Sequence, residues 1–303
     1  MSNVKSQIRV AILGYGNIGR AAEEAIKASP DMELAGVFHH NDCLDKISNV
    51  QCQMSNDERP VDVVLVCTPT REVQKFATVL AARGICTVDS FDIHGRIWTL
   101  RSALDPVCVS NRSVSILSAG WDPGSDSMVR ALLIALAPKG LTYTNFGPGR
   151  SMGHTVAARA IKGVKNALSM TIPLGTGIHR RMVYIELEDG ADFKEVESAI
   201  LADEYFAHDE THVIAVESVD ALNNVAHGVN LVRNGVSGET HNQRFEFNME
   251  INNPALTGQV MVSCARAAMR LKERGEYGAR TMIELAPIDL LPGTKESLIK
   301  ALV

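Results

Sequence analysis

The most constraining feature of this sequence is a glycine loop that directly follows an apolar, strand-like run at residues 8–13. The loop reads Gly14-Tyr15-Gly16-Asn17-Ile18-Gly19. At this spacing the first glycine permits a tight turn, the second lets the backbone approach a pyrophosphate, and the third lets the next helix pack closely. A helical pattern over residues 20–26 follows, and its positive N-terminus would face the phosphates. The loop therefore predicts a dinucleotide site inside a strand–turn–helix unit.

Residues 8–120 alternate between strand and helix patterns. Continuous apolar runs occur at residues 33–38, 61–67, 86–88 and 113–117, with helical patterns between them, as at 72–83. Fully apolar strands separated by helices indicate a parallel sheet that is covered on both faces. The sequence therefore predicts an α/β, doubly wound Rossmann sheet, with its ligand at the carboxyl ends of the strands.

The pattern changes after Trp121. A helix is predicted over 126–137 and another over 193–201, and alternating strands lie near 182–187, 211–216, 229–233 and 243–251. Alternation of this kind predicts a second, α+β domain with an open mixed or antiparallel sheet. A long helix from Asn253-Pro254 to residue 272 and a segment at 295–303 are expected to return to the first domain. The predicted domains are 1–121 with 255–303 for the dinucleotide, and 122–254 for the substrate.

Charge and cysteine content exclude several classes of protein. The net charge of -5 disfavours nucleic-acid binding, and no apolar run approaches the roughly 18 residues that would span a bilayer. The N-terminus lacks the order of a signal peptide. The six cysteines show no paired spacing, so neither a disulfide framework nor a metal site is predicted, and we expect the protein to be cytoplasmic.

Two acidic segments follow predicted strands of the first domain. Asp92 lies in residues 88–94 and Asp122 in residues 120–124. Both are expected at the carboxyl edge of the sheet, where a nicotinamide ring would project, and two carboxylates there suit a cationic partner such as a substrate ammonium. Asp122 has an alternative explanation, because Asp-Pro-Gly favours a turn.

Polar residues of the second domain leave alternatives open. Arg180 and Arg181 could clamp a carboxylate or form a solvated basic pair. His227 begins a strand, where histidine is more often structural, and Asn253 suits the N-cap of its helix. No Ser/His/Asp order or glycine-elbow motif supports an acyl-transfer enzyme.

Five segments together resemble the meso-diaminopimelate D-dehydrogenase family over nearly the whole chain. They are Val-Asp-Ser-Phe-Asp-Ile-His (88–94), Gly-Trp-Asp-Pro-Gly (120–124), Met-Gly-His (152–154), Ala-His-Gly (226–228) and Asn-Asn-Pro (252–254). The chain is most similar to the branch with Met-Gly-His rather than Gln-Gly-His. The resemblance implies hydride transfer from the D-carbon of meso-2,6-diaminoheptanedioate to a nicotinamide, followed by hydrolysis of the imine to L-2-amino-6-oxoheptanedioate and ammonia, and the reverse reductive amination.

The resemblance also implies roles for individual residues. Asp92 and Asp122 would orient the reacting ammonium and the hydrolytic water. Residues lining the reacting end would be Phe146, Met152 and Gly153. The distal amino-acid end would be held by Thr171, Arg181, His227 and Asn253. A homodimer formed through the second domain, and a one-step route to meso-diaminopimelate for lysine and peptidoglycan synthesis, are implied as well.

The cofactor preference is less directly indicated. The family usually uses NADP and carries an Arg-Arg pair after the second strand, but this chain reads His39-His40-Asn41 there. No acid at the strand end selects NAD either, and Arg71 could reach the ribose phosphate instead. We expect NADP, with NAD possible. The predicted cofactor residues are Gly14, Tyr15, Gly16, Asn17, Ile18, Gly19, His39, His40, Asn41, Cys67, Thr68, Pro69, Thr70, Arg71 and Asp92.

Met152 removes a polar group near the reacting centre, which suggests that simple D-amino acids could also be made from 2-oxo acids.

Two competing hypotheses are another NAD(P)-dependent oxidoreductase, such as an amino-acid dehydrogenase or a dihydrodipicolinate-reductase-like enzyme, and a nucleotide sensor without catalysis. The full set of predicted substrate residues argues against both.

Overall fold

The structure is a computed structural model that describes residues 7–39, 60–222 and 226–303. It divides into two compact units, Met1–Val129 with Pro254–Val303, and Arg130–Asn253. The functional division predicted from the sequence, with boundaries after residues 121 and 254, stays a prediction.

The described strands and helices follow the order expected for an α/β unit into which an α+β unit is inserted. The strands are β1 (Ile8–Leu13), β2 (Met32–Phe38), β3 (Val63–Val66), β4 (Cys86–Asp89), β5 (Val114–Leu117), β6 (Lys139–Phe146), β7 (Gly149–Arg150), β8 (Val164–Gly175), β9 (Ile178–Leu187), β10 (Glu210–Ala215), β11 (His227–Ser237), β12 (Thr240–Ile251) and β13 (Gly278–Thr281). The α-helices are α1 (Asn17–Ala28), α2 (Val73–Ala81), α3 (Ile97–Ser110), α4 (Ser125–Leu136), α5 (Met152–Arg159), α6 (Phe193–Ala202), α7 (Asn253–Glu273), α8 (Pro287–Leu290) and α9 (Lys295–Leu302).

The first unit contains a six-stranded sheet in the order β13-β5-β4-β3-β1-β2, and all its pairings are parallel. Side chains of β1 alternate between its two faces. Val10 and Ile12 pack with α1 and α7, whereas Ala11 and Leu13 pack with α2 and α3. Helices therefore cover both faces, which confirms the doubly wound fold predicted from the apolar strands.

The C-terminal residues complete this first unit. Strand β13 pairs with β5 in parallel, from Gly278 opposite Val114 to Thr281 opposite Leu117. Helix α7 contributes Met261, Val262 and other buried side chains to the same core as β1. Among the described residues, no helix is long and apolar enough to cross a membrane.

The second unit has two sheets where the sequence predicted one. Their strand orders are β10-β9-β8-β7 and β12-β11-β6. Strands β9 and β10 are parallel and the other pairings are antiparallel, so the predicted mixed character is confirmed. The sequence pattern did not reveal β6 or β8. In β6 the first three residues are exposed, and β8 contains two register shifts, so neither strand keeps a clean apolar alternation.

Candidate active site

The glycine loop has the geometry that a dinucleotide requires. Gly14 has a φ of +99°, and a Cβ there would lie 2.5 Å from the carbonyl oxygen of Cys67. A Cβ at Gly19 would lie 2.2 Å from the carbonyl oxygen of Gly14. These two positions therefore require glycine, because a side chain would push α1 and β3 away from the loop.

Gly16 differs from these two glycines because a Cβ there would have no heavy atom within 4 Å. It precedes α1, whose first turn holds no acidic residue and receives no side-chain cap from Gly16. An open helix N-terminus of this kind leaves N–H groups and positive potential for an anion. The residues thus fit the pyrophosphate of a dinucleotide cofactor.

An arginine and a histidine ring lie close to Tyr15 of the glycine loop. The Tyr15 hydroxyl donates a hydrogen bond to Glu23, the His39 ring stands edge-on at 6.2 Å, and the Arg20 guanidinium lies 5.6 Å from the Tyr15 ring centroid. Arg71 is exposed in the short 3-10 turn after β3. His40 and Asn41 lie outside the described residues. Sequence reasoning missed Arg20, although its place directly after the third glycine was a usable signal.

Asp92 and Asp122 both follow strands of the first sheet, as predicted. Asp92 is exposed after β4 and accepts a 2.5 Å hydrogen bond from the Thr70 hydroxyl in the turn after β3. Asp122 is half-buried in a loop closed by a 3.1 Å hydrogen bond from the Gly120 amide to the Pro123 carbonyl. The turn-forming explanation of Asp122 therefore holds, and its role at the carboxyl edge stays a prediction.

Asp89, the last residue of β4, connects the loops that carry these two carboxylates. It is completely buried, and its Oδ1 accepts hydrogen bonds from the amides of Phe91 at 3.0 Å and Ser118 at 3.1 Å. Burial raises the pKa of the Asp89 carboxyl to about 6. Sequence reasoning did not assign Asp89 a role, although an acid at the end of an apolar strand was a usable signal.

In the second unit, Arg181 is held by two partners. It lies opposite Thr171 in the β8–β9 pairing and donates through Nη1 to the Thr171 hydroxyl. Its Nε donates to Oδ2 of Asp209 at 2.6 Å. Arg180 instead pairs with Glu210 at 2.7 Å. The side chain of Arg181 is only 14% exposed, so the explanation as a solvated basic pair applies to Arg180 alone.

Two histidines surround the predicted residues of the reacting end. The Phe146 amide donates to Nε2 of His179 at 2.9 Å. His154 has its Nδ1 2.8 Å from the Ser151 hydroxyl, and its ring stands edge-on to Tyr205. Burial lowers the pKa of both histidines and the nearby Arg181 lowers it further, which favours neutral imidazoles at pH 7. These histidines therefore position neighbouring groups rather than supply charge.

The remaining residues predicted to contact substrate are Met152, Gly153, His227 and Asn253. Gly153 is exposed, and a Cβ there would lie 3.6 Å from the Tyr205 ring. His227 is the first residue of β11, and burial followed by the Arg150 charge lowers its pKa. Helix α7 begins at Asn253, and the assignment of its N-cap to Asn253 stays a prediction. Met152 is the first residue of α5, and only its backbone is described.

Comparisons with known proteins find relatives of one family along nearly the whole chain. Residues 120–178 match the family model of the diaminopimelic acid dehydrogenase C-terminal domain. The chain is 58% identical to the meso-diaminopimelate D-dehydrogenase of Bacteroides fragilis, over 98% of this chain and 99% of that protein. It is 35% identical to the enzyme of the same name from Lysinibacillus sphaericus, over 98% and 100%.

Solved structures of dehydrogenases also resemble this chain over nearly its whole length. The diaminopimelate dehydrogenase of C. glutamicum, in complex with DAP, has a TM-score of 0.82 at 30% identity and covers 99% of this chain and 100% of its own. An engineered D-amino acid dehydrogenase bound to NADP+ has a TM-score of 0.75 at 28% identity, covering 98% and 100%. Fold, glycine loop and these relatives together define the class of protein, a pyridine-nucleotide oxidoreductase that acts on CH–NH2 donors. The chain belongs to the meso-diaminopimelate D-dehydrogenase family.

Proposed function

We propose that this enzyme catalyses the reversible oxidative deamination of the D-centre of meso-2,6-diaminoheptanedioate with NADP. The observation that carries the proposal is the largely buried Arg181, held by Thr171 and Asp209 inside a chain 58% identical to a meso-diaminopimelate D-dehydrogenase. A buried guanidinium at that place suits a carboxylate remote from the reacting carbon.

The nicotinamide supplies the hydride acceptor when it is bound. The D-carbon loses a hydride and the nitrogen loses protons, which gives an imine; water adds to the imine carbon, and ammonia leaves. Asp92 and Asp122 balance the charge of the substrate ammonium and then orient the water. Thr70, which donates to Asp92, keeps that carboxylate in one position.

The other end of the substrate determines handedness. The distal amino-acid group is held by Arg181, Thr171, His227 and Asn253. The reacting end is lined by Phe146, Met152 and Gly153. With both ends held, only one configuration at the reacting carbon directs its hydrogen at the nicotinamide. Activity with a D-centre and none with an L-centre is the expected result.

The test of this function is a spectrophotometric assay of nicotinamide reduction with the meso, L,L and D,D isomers of diaminopimelate. Reduction with the meso isomer, accompanied by an equal amount of ammonia, is expected, together with no reduction with the L,L isomer. Asp92→Asn and Asp122→Asn should each lower kcat by about 100-fold or more, in the range of a lost acid–base or charge-orienting group. Equal rates with the L,L and meso isomers would refute the proposal.

The proposed preference for NADP is supported by two arginines, one beside the glycine loop and one in the turn after β3. Arg20 and His39 flank Tyr15, and Arg71 is exposed after β3. An engineered relative is bound to NADP+. Measuring kcat/KM with NADP and with NAD tests the preference, and a higher value with NAD would contradict it.

A second activity, the synthesis of simple D-amino acids from 2-oxo acids, is favoured by Met152 at the reacting end and by an engineered D-amino acid dehydrogenase among the structural relatives. Pyruvate, ammonia and reduced cofactor should then yield D-alanine, measured by chiral chromatography. Absence of turnover would exclude this activity.

We further propose a homodimer formed through the second unit, a cytoplasmic location, and a role in supplying meso-diaminopimelate for lysine and peptidoglycan. The four cysteines that the structure describes in full are free thiols, in keeping with a reducing compartment.

A further inference from the structure

We infer that Asp209 is a specificity-determining residue that accepts the distal L-ammonium of the substrate, beside the carboxylate bound by Arg181. This inference deepens the proposed function and rests on it. It assigns a role to a residue whose importance the sequence pattern did not indicate.

Asp209 and Arg181 form a pair in which each partner keeps hydrogen-bonding capacity for a ligand. Nε of Arg181 donates to Oδ2 of Asp209 at 2.6 Å, and Nη1 donates to Thr171. Within the part of the chain that the structure describes, no hydrogen bond is made by Nη2 of Arg181 or by Oδ1 of Asp209. Their side chains are 14% and 30% exposed, so each keeps part of its surface open to a ligand.

The segment that carries Asp209 is held in place by a buried anchor. Phe206 is 1% exposed and packs in the core with β9 and α6. The Asp209 amide donates to the Phe206 carbonyl at 3.2 Å, and the Thr211 hydroxyl donates to the carbonyls of both residues. Asp209 therefore presents its carboxylate from a fixed backbone, as a preorganised binding group does.

The charge of the pair matches the charge of the group to be bound. The distal end of meso-diaminopimelate carries a carboxylate and an ammonium on one carbon, so it is a zwitterion. A lone guanidinium would bind a plain dicarboxylic amino acid equally well. An adjacent carboxylate adds attraction for the ammonium, and a ligand without that ammonium would leave Oδ1 of Asp209 partly desolvated and unpaired.

Asp209 also lies close enough to the predicted substrate residues to act on their neighbours electrostatically. Its charge acts on both His154 and His179, and it raises the pKa of each against the stronger effects of burial and Arg181. His179 accepts from the Phe146 amide, and His154 directly follows Gly153. The carboxylate of Asp209 therefore lies among the residues predicted to contact substrate.

The experiment compares meso-diaminopimelate with D-2-aminoheptanedioate, which keeps the chain length, the D-centre and both carboxylates but lacks the distal ammonium. The kcat/KM of each substrate is measured for the wild type, Asp209→Asn and Asp209→Ser. The ratio of the two values on one preparation is independent of the fraction of folded enzyme. Glu210→Gln is the matched control, because it removes the neighbouring ion pair with Arg180.

We expect Asp209→Asn and Asp209→Ser to lower kcat/KM for meso-diaminopimelate by about 10-fold to 100-fold, mainly through KM, as for the loss of a charged hydrogen bond. The analogue should change by less than about 3-fold, and Glu210→Gln should leave the ratio unchanged. An equal loss with both substrates would show that Asp209 only orients Arg181, and no loss with either would show that it is not used; both results overturn the inference. A wild type that oxidises other amino acids but not meso-diaminopimelate would instead refute the proposed function itself, and the inference with it.

Discussion

Arg180 and Arg181 show how far adjacent, identical residues can differ in chemistry. They are neighbours in β9, so the pleat directs them to opposite faces of the sheet. One forms an exposed ion pair with Glu210, and the other is enclosed by Thr171 and Asp209. Exposed pairs contribute little to stability or binding, whereas a desolvated guanidinium can contribute several kcal/mol to binding an anion.

This difference predicts the outcome of two alanine substitutions. Arg181→Ala should raise the KM for meso-diaminopimelate by about 100-fold, because a charge-assisted contact with the substrate carboxylate is lost. Arg180→Ala should change KM by less than about 2-fold, because its ion pair is exposed. Steady-state kinetics on both variants checks this, and unchanged kinetics in Arg181→Ala would remove Arg181 from the site.

The buried carboxyl of Asp89 should make the stability of the protein depend on pH. Its pKa is about 6 in the folded protein, above the usual value of 3.8, so the folded state binds a proton that the unfolded state has released. Its contribution to stability is therefore present at low pH and is lost as the pH rises through 6. The free energy of unfolding of the wild type relative to Asp89→Asn should fall by up to about 3 kcal/mol between about pH 4 and pH 7. Urea unfolding of both proteins measures this, and parallel pH profiles would contradict it.

The elements show which features a sequence pattern can predict. Strands β1, β3, β4 and β5 were predicted because each is a largely apolar run that is buried on both sides, and β2 was predicted from an apolar run that is only partly buried. Helix α7 was predicted from Asn253-Pro254 and its long periodic pattern. Strand β6 was missed because its first three residues are exposed and only one of the others is buried, so its residues carry no clean apolar alternation.

The same limit applies to the candidate site. The carboxylates Asp92 and Asp122 follow strands and were predicted to share one edge of the sheet. Asp209 was not predicted, because its role comes from pairing with Arg181 across 28 residues of sequence. Asp89 was missed for a similar reason: its bond to the Ser118 amide joins two loops 29 residues apart. Such pairings depend on tertiary packing, which local periodicity does not contain.

The strand–turn–helix unit at the N-terminus predicts a contrast between two glycine substitutions. Gly19→Ala should lower the melting temperature and weaken cofactor binding, because its Cβ would overlap the Gly14 carbonyl oxygen. Gly16→Ala should leave the melting temperature unchanged and still weaken cofactor binding at least about 10-fold, because its Cβ would extend into open space where the pyrophosphate is expected. Calorimetry and titration of cofactor fluorescence measure both effects. Gly16→Ala with normal affinity would place the pyrophosphate elsewhere.

At the scale of the whole molecule, the second unit exposes several large apolar side chains. Leu132, Ile134 and Leu136 on α4 are 43–59% exposed, and Leu141 on β6 is 62% exposed. Exposed apolar groups that recur within one unit are typical of an interface. A second copy of this chain is the occupant that we propose.

Light scattering after gel filtration tests this assembly. The wild type should have the mass of a dimer, and Leu141→Asp should shift it toward the 32.8 kDa monomer, because a charge would be buried at the interface. Trp98→Asp is the control, since Trp98 is 72% exposed in the first unit and should not affect the dimer. A monomeric wild type would contradict the proposal.

The return of the chain to the first unit has a consequence for biosynthesis. Strand β13 borders β5, and α7 fills the core beneath β1, yet both are translated after residues 130–253. The second unit is one continuous stretch and can fold as soon as it leaves the ribosome. The cofactor unit, although most of it is synthesised first, has to wait for its last strand to emerge before its sheet is complete. We therefore expect the second unit to finish folding before the first, although most of the first unit is synthesised earlier.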